Sequence, residues 1–233
     1  ELSVQVHPND AQAARLGPGK FGKTEAWVVL DRDPASSRLY AGFADGVCAA
    51  DFRAALAAGR TPGTLHSFTP EVGDCVFLEA GTVHAIGADL LLFEVQQTSD
   101  ITYRLYDWDR VDAATGRPRQ LHVEEGLACA DFGRGPCRPV RPAVSARDGA
   151  RREALVSCAH FTLERLTGAA PFRVGAAGRC RAVVCAGGSG AVAWGGAEYP
   201  LRPGDVYLLP AEVGAATAVP ASELTLLECG LAE

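Results

Sequence analysis

The sequence predicts an all-β protein whose strands form antiparallel sandwiches or barrels. Short runs rich in valine, leucine and aromatic residues recur along the chain and are bounded by glycine, proline and aspartate, which is the pattern of strands separated by turns. These runs are evenly spaced, and no crossover helices of the kind that connect parallel strands lie between them. In addition, part of the first half is echoed in the second half.

The predicted strands of the first half form a regular series. Each is short, and each ends at a residue that interrupts β-pairing. Pro8, for example, ends the first run because it lacks the N–H that a ladder needs. In order, these predicted strands are LSVQVH, EAWVVLD, RLYAGF, DCVFLEA, LLLFEVQQ and TYRLYDW.

Short helices are predicted between these strands. PNDAQAARLG has Asn9 or Asp10 as its N-cap and stops at Gly17, the alanine-rich DFRAALAAGR stops at Gly59, and LHVEEGLACADF has an acidic first turn. Proline, arginine and glycine then alternate without a period over residues 133–152, which predicts a connector. Strand patterns resume as ALVSCAHFTLERL, FRVGA, RCRAVVCAG, AVAWGG, DVYLLPA and LTLLECG.

An internal repeat indicates two similar β units. The segment EVGDCVFLEAGTVHAIG at 71–87 resembles LRPGDVYLLPAEVGAATA at 201–218, and each contains a Gly-Asp turn that leads into an apolar strand. Ten residues after the aspartate of this turn stands His84 in the first copy and Ala215 in the second. The repeat therefore predicts two related units, of which only the first carries this histidine.

Composition and charge exclude several classes of function. The 233-residue chain has 48% hydrophobic residues and a net charge of −6, so it can bury a core but carries no basic footprint for nucleic acid. No apolar run reaches the length of a membrane span, so we expect neither nucleic acid nor a membrane as a partner. The eight cysteines form no C-x-x-C pair. We interpret them as reduced core residues of a cytoplasmic protein rather than a disulfide framework.

Four polar side chains could meet at a metal ion. Gln5 and His7 share one face of the first predicted strand, because successive side chains of a strand alternate between faces. Glu25 begins the next strand, and His84 lies in GTVHAIG. Two imidazoles and a carboxylate form a common shell for a catalytic divalent ion, and a neutral amide could complete it. The alternative is two separate, hydrogen-bonded histidines, and spacing alone does not decide between the two.

The stretch FEVQQTSDITYRLYDWDR crowds acids and arginines around strand-forming residues. An arginine on this strand, such as Arg104, could clamp a phosphate or stabilise an enediolate; the alternative is a solvated rim with weak ion pairs. Lys23 shares a strand face with Glu25, so it could move protons if its pKa were depressed. The alternative for Lys23 is a surface position, where most lysines lie.

In this order, LSVQVHPND, GKTEAW, GTVHAIG and EVQQTSDITYRLYDWDR resemble the motifs of type I phosphomannose isomerases of the short bacterial form. The resemblance is strong from the first residue to Leu121 and weaker beyond it. It implies a cupin, or jelly-roll, fold with a few short helices. The catalytic cupin domain at 1–140 would hold one zinc ion, and the cupin-like domain at 141–233 would lack metal ligands.

The same resemblance implies roles for individual residues, although it does not identify the general base. The zinc ligands of the family fall on Gln5, His7, Glu25 and His84. Its active-site positions fall on Lys23, Glu94, Asp100 and Arg104. Its positions for the substrate phosphate fall on Ser3 and Arg110, the latter replacing a lysine of the long-form enzymes.

We therefore expect a Zn²⁺-dependent aldose–ketose isomerase that interconverts mannose 6-phosphate and fructose 6-phosphate through an enediol, as a cytoplasmic monomer or homodimer. Two other functions stay open: another metal-dependent cupin enzyme, either an oxygenase or a different sugar isomerase, or a non-catalytic sugar-binding cupin. In the family, several strands precede the Q-x-H strand. This chain is then either a fragment without them or a minimal variant whose sheet is completed in another way. The second domain carries no residues with an identifiable chemistry, so we interpret it as a packing or interface unit.

Overall fold

The computed structural model describes residues 1–232 and divides the chain into two compact units, Glu1–Val140 and Arg141–Glu233. Eighteen strands and three short α-helices occur in the described range, so the predicted all-β class is confirmed. None of the helices in that range is both long enough and apolar enough to cross a bilayer.

The strands of the first unit form two antiparallel sheets. They are β1 (Val4–Val6), β2 (Glu25–Arg32), β3 (Leu39–Phe43), β4 (Leu65–Phe68), β5 (Cys75–Leu78), β6 (His84–Ile86), β7 (Leu90–Gln96) and β8 (Tyr103–Tyr106). One sheet has the order β4-β3-β6-β1-β8, and the other has the order β5-β2-β7. Most neighbours in the larger sheet are distant in sequence. The first strand, for example, lies between β6 and β8.

The first strand is enclosed on both faces. Val4 and Val6 are fully buried and belong to a core cluster with Leu105. On the opposite face, Ser3 is 4% exposed and His7 is 1% exposed. The sequence left open whether this polar face meets solvent or a polar interior, and the structure shows a polar interior.

All three predicted helices form, although the second begins two residues before its predicted segment at 51–60. They are α1 (Asp10–Ala14), α2 (Ala49–Ala57) and α3 (Val123–Cys129). The first begins with a capping box, in which Asn9 Oδ1 accepts from Gln12 N and Gln12 Oε1 accepts from Asn9 N, both at 2.9 Å. This box satisfies two backbone N–H groups at the start of the helix, two residues after His7.

The second unit also contains two antiparallel sheets. Its strands are β9 (Ala143–Arg147), β10 (Ala150–Ser157), β11 (Phe161–Gly168), β12 (Phe172–Gly175), β13 (Arg181–Gly187), β14 (Gly190–Trp194), β15 (Ala197–Leu201), β16 (Val206–Leu209), β17 (Ala215–Pro220) and β18 (Leu224–Leu231). The sheet orders are β16-β13-β18-β11-β10-β9 and β12-β17-β14-β15. A core that includes Phe172, Leu226 and the buried free thiol of Cys185 lies in this unit.

The connector predicted over residues 133–152 is wrong in its second part. There β9 pairs with β10 in a hairpin that turns at Asp148 and Gly149, both with positive φ. An Asp-Gly pair favours this tight turn. The strand β9 is exposed along its whole length and lies at the sheet edge, so it lacks the apolar alternation that would have revealed it.

Candidate active site

Three buried side chains from different parts of the first unit meet at one point. His7 follows β1, Glu25 begins β2 and His84 begins β6, and each is 1% exposed. One potential ligand atom from each lies within 4.8 Å of the others. His84 Nε2 lies 3.3 Å from Glu25 Oε1, and His7 Nε2 lies 3.6 Å from Glu25 Oε2.

Backbone carbonyls orient both imidazole rings. His7 Nδ1 donates to the carbonyl of Ile101 at 2.8 Å, and His84 Nδ1 donates to the carbonyl of Thr82 at 2.8 Å. A carbonyl oxygen can only accept, so each ring carries its proton on Nδ1 and presents the lone pair of Nε2 to Glu25. Sequence reasoning missed these two partners, because a main-chain oxygen leaves no residue signature.

Burial keeps the two imidazoles neutral. It lowers the pKa of His7 to about 2, with His84 and Lys23 adding to the effect, and it lowers the pKa of His84 to about 4. Burial also raises the pKa of Glu25, while the Lys23 ammonium acts in the opposite direction. Neutral imidazoles with free Nε2 lone pairs are the form of histidine that binds metals.

These residues fit a divalent metal ion. In the described part of the chain, His7 Nε2 and Glu25 Oε1 are buried without a hydrogen-bond partner, and such orphaned atoms are costly. Ligands of one tetrahedral zinc ion, bonded at about 2.1 Å, lie about 3.4 Å apart. The two separations of 3.3 and 3.6 Å are close to this value. The ring centroids are 5.0 Å apart, so the two histidines lie side by side, and this arrangement favours a shared metal ion over two separate histidines.

Gln5 lies against the same group of side chains. It is the register partner of His84 across β1 and β6, and its amide Nε2 is 3.2 Å from His84 Nε2. Its register partner on the other side is Arg104 of β8. One residue of β1 therefore connects the candidate metal centre with an arginine of the charged segment.

Lys23 is buried, so the alternative of a surface lysine is wrong. Its ammonium pairs with Glu25 Oε2 and lies 3.1 Å from Glu94 Oε1. Burial disfavours the charge, but the two carboxylates outweigh it and raise the pKa of Lys23. This direction is opposite to the depression considered from the sequence, because the neighbours of Lys23 are anions.

Glu94 connects this buried group with the outside. It lies on β7 opposite Trp27, and its side chain is 35% exposed. Burial and the nearby Glu25 carboxylate raise the pKa of Glu94, while Lys23 opposes them. Glu94 is therefore a carboxyl group with an elevated proton affinity that remains accessible to a small molecule.

Three arginines gather around one buried carboxylate. Asp107 accepts from Arg119 Nε at 2.8 Å and Arg110 Nη2 at 2.6 Å, and the hydrogen bonds from Arg119 contribute most to lowering the pKa of Asp107 to about 2. Arg104 Nη1 donates to the carbonyl of Gln120 at 3.0 Å, and burial and nearby Arg119 lower the pKa of Arg104. Sequence reasoning missed Arg119, which lies outside the charged stretch in a segment without a motif.

The other predicted site residues have different surroundings. The Asp100 side chain is 88% exposed and pairs with Lys20 at 3.8 Å, so the structure does not bring it into the buried group. Ser3 is buried immediately before β1. Besides contacting Asp107, Arg110 donates from Nη1 to the carbonyl of the first residue at 2.5 Å.

Known proteins resemble this chain in sequence, although no protein-family model matches it. It is 34% identical over 209 residues to a mannose-6-phosphate isomerase of Streptococcus mutans, covering 90% of this chain and 64% of that protein. It is also 34% identical over 218 residues to a mannose-6-phosphate isomerase of Bacillus subtilis, covering 92% of this chain and 67% of that protein. The chain thus spans about two thirds of the length of these relatives.

Solved structures resemble the chain in fold. The mannose 6-phosphate isomerase from Bacillus subtilis matches 98% of this chain and 71% of its own, with a TM-score of 0.86 and 26% identity. A mannose 6-phosphate isomerase bound with zinc and yttrium has the same fold, with a TM-score of 0.72 and 15% identity over 100% of this chain and 76% of its own. These are cupin-type proteins, so the predicted cupin fold is confirmed. From its sequence similarity and fold together, the chain belongs to the mannose-6-phosphate isomerase family.

Proposed function

We propose that this chain interconverts mannose 6-phosphate and fructose 6-phosphate with one zinc ion bound in its first unit. Its family membership supports the reaction. The observation that carries the proposal is the buried group of His7, Glu25 and His84, whose ligand atoms converge within 4.8 Å. A soluble sugar phosphate is then the expected small-molecule partner, and the cytoplasm and a monomer or homodimer stay predictions.

His7, Glu25 and His84 would hold the ion. Gln5 would complete the shell once its amide turns, because Nε2 rather than Oε1 now faces His84. When bound, zinc supplies a Lewis acid that polarises the oxygens of the sugar. The nitrogen and oxygen donors suit zinc, and one relative of the same fold is described with zinc bound.

Glu94 is the residue best placed to move the proton. The reaction removes a proton from C2 of the open-chain aldose and returns one to C1, with an enediol between them. A partly exposed carboxyl group with a raised pKa holds a proton more strongly than an ordinary glutamate and can take one up and return it. Lys23, held as an ammonium between Glu25 and Glu94, would orient Glu94 and stabilise developing negative charge.

The arginines would bind the rest of the substrate. Arg104 is the register partner of Gln5, and this supports a role in stabilising the enediol oxygen. Arg110 and Ser3 would bind the phosphate, and phosphate binding energy would help to position the reacting carbons. For Asp100, the support comes from the sequence motif alone, since its side chain is 88% exposed.

A coupled assay on mannose 6-phosphate with the zinc-loaded chain tests the function, together with metal analysis by mass spectrometry. We expect His84→Ala to lose bound zinc and turnover together. His160→Ala, which changes a histidine of the second unit, should keep both. Retained zinc with normal turnover in His84→Ala would contradict the assignment. Bound iron with oxygen uptake would instead favour an oxygenase, and sugar binding without turnover would favour a non-catalytic cupin.

A further inference from the structure

The two units repeat the same strand pairings, so their positions can be matched by register. In the first unit, Glu25 pairs with Leu78, which lies four residues after the Gly-Asp turn. In the second unit, Arg181 pairs with Leu209, which also lies four residues after the corresponding Gly-Asp turn. Arg181 therefore occupies in the second unit the position that the Glu25 carboxylate occupies in the first.

The remaining metal-ligand positions match in the same way. His84 pairs with Gln5, and its counterpart Ala215 pairs with Gly175. Gly175 thus corresponds to Gln5, and Ala177, two residues further on, corresponds to the first histidine ligand. The second unit therefore places small residues and one arginine where the first unit places its candidate metal ligands.

An acidic residue is retained at a further matched position. In the first unit Glu94 pairs with Trp27, and in the second unit Glu228 pairs with Val183. Trp27 and Val183 each lie two residues beyond the matched pair of Glu25 and Arg181. Glu228 Oε1 lies 3.8 Å from the Nε of that arginine. A carboxylate therefore partners a guanidinium here, and no lysine or metal ligand is needed to neutralise it.

A cavity of about 450 Å³ lies at the matched positions. Its lining includes Gly175, Ala177, Arg181 and Glu228. The small residues leave open the space that ligand side chains fill in the first unit. Its volume falls within the range of sites for small molecules, about 300–1,000 Å³.

The charge of this cavity is positive. Arginines contribute four positive charges and acids three negative ones, which leaves an excess of one. These lining residues are Arg147, Arg152, Arg173, Arg181, Asp148, Glu164 and Glu228. The side chain of Arg152 is 7% exposed and is held by Glu164 at 3.1 Å, and its Nε is buried without a partner. Within residues 1–232, the Arg173 guanidinium makes no hydrogen bond or ion pair.

We propose that this cavity binds a small organic phosphate, a phosphate monoester, through arginine side chains and without a metal. Guanidinium groups match the oxygens of a phosphate with paired hydrogen bonds. The monoester dianion is complementary to the positive excess, and the uncommitted guanidinium of Arg173 is available to it. Ser157 and Thr162, register partners that also line the cavity, offer hydroxyls to the organic part. The proposed site is separate from the isomerase site and does not rest on the proposed reaction.

Calorimetric titration of the full chain with inorganic phosphate and with mannose 6-phosphate, in the presence of a metal chelator, tests the proposal. We expect Arg173→Gln and Arg181→Gln each to weaken binding at one site by about tenfold or more, since each removes a charge-assisted hydrogen bond. Arg173→Gln is the variant that breaks no side-chain hydrogen bond or ion pair within the described residues. Arg202→Gln changes an exposed arginine of the same unit outside the cavity, and it should bind like the unchanged chain.

Three results would overturn the proposal. One is equal phosphate affinity in all three arginine variants, another is the absence of phosphate binding to the unchanged chain, and the third is tighter binding of succinate than of inorganic phosphate. Circular dichroism and the melting temperature verify that Arg173→Gln and Arg181→Gln fold. Because the readout is binding without metal, the result does not depend on whether the chain is an active isomerase.

Discussion

Gln5 and His84 face each other across two neighbouring strands although they are 79 positions apart in the chain. Their side-chain nitrogens lie 3.2 Å apart, and the same Gln5 is the register partner of Arg104 on its other side. The register of this one short strand therefore decides which residues share the site. A slip by one residue would turn Gln5 and His7 to the opposite face.

Replacing Gln5 by alanine is expected to weaken zinc binding by about tenfold. The variant loses the amide that lies beside His84, while both imidazoles and the Glu25 carboxylate remain. The loss should be smaller than in His84→Ala, which removes a lone pair that points into the centre. Competition with a chromophoric chelator measures the affinity. The exposed Gln120 provides the control, since Gln120→Ala should bind zinc normally. Unchanged affinity in Gln5→Ala would show that the amide does not support the metal.

Lys23→Met should destabilise the metal-free chain by about 3 kcal/mol or more, because it leaves the buried Glu25 carboxylate without its cation. Urea denaturation in the presence of a chelator measures this change. Lys20 is the matched control: its side chain is 47% exposed and its pairing with Asp100 is on the surface. Lys20→Met should therefore change stability by less than about 0.5 kcal/mol. Equal losses in the two variants would contradict the role of the buried pair.

Asp107 should make stability depend on pH in the acid range. Hydrogen bonds from Arg119 lower the pKa of this carboxyl from 3.8 to about 2, so its ionised form is favoured by folding. The contribution is complete above the unfolded pKa and is lost as pH falls from 3.8 toward 2. This contribution to the free energy of unfolding amounts to about 1–2 kcal/mol, because solvent screens the partly exposed arginines.

The measurement for Asp107 is chemical denaturation at pH 6 and at pH 3 for the unchanged chain and for Asp107→Asn. We expect the variant to be less stable at pH 6 and to lose less stability between the two pH values. Asp100→Asn, which changes a side chain that is 88% exposed, should be as stable as the unchanged chain at pH 6. A profile for Asp107→Asn parallel to that of the unchanged chain would refute the assignment.

Gly22 joins the loop before Lys23 to the turn after His7. A Cβ at this glycine would lie 2.6 Å from Asp10 N and 2.9 Å from the carbonyl oxygen of Pro8, both backbone atoms. Because the backbone cannot yield as a side-chain tip can, Gly22→Ala should cost about 1–3 kcal/mol and weaken zinc binding. Thermal unfolding and the chelator competition measure the two effects.

Gly63 is the control for this substitution, since nothing lies within 4 Å of its Cβ position. Gly63→Ala should leave both the melting temperature and the zinc affinity close to those of the unchanged chain. A Gly22→Ala variant with the same melting temperature as Gly63→Ala would contradict the prediction. It would show that the backbone at Gly22 can move away from the backbone at Pro8 and Asp10 without loss of stability.

The strands and helices were predictable wherever their signal is local. Alternating apolar residues ended by Pro8 predicted β1, and the Asn9 cap predicted α1. The exposed strand β9 was not predicted, since an edge strand with both faces in solvent has no apolar alternation to reveal it. Its turn at Asp148 and Gly149 did carry the local Asp-Gly signature.

The candidate site was predictable in its residue types but not in its electrostatics. The motifs named His7, Glu25 and His84 as candidate ligands, and the structure brings them together. They also named Lys23, but the direction of its pKa shift depends on Glu25 and Glu94, and Glu94 is 71 positions away. The interaction energy of two charges depends on the distance between them, and the sequence does not give the distance between residues that are far apart in the chain.

By itself, the sequence determined the all-β class, the internal repeat and the presence of Ala215 where the first copy has His84, because local periodicity and matched spacing show each of these. The candidate ligands came from motifs that resemble those of a known family. Only the tertiary structure decided that the polar face of β1 is an interior, that two backbone carbonyls direct both imidazoles, and that Arg181 stands where Glu25 would be. These facts depend on strand register and burial, which arise only when segments far apart in the chain pack against one another.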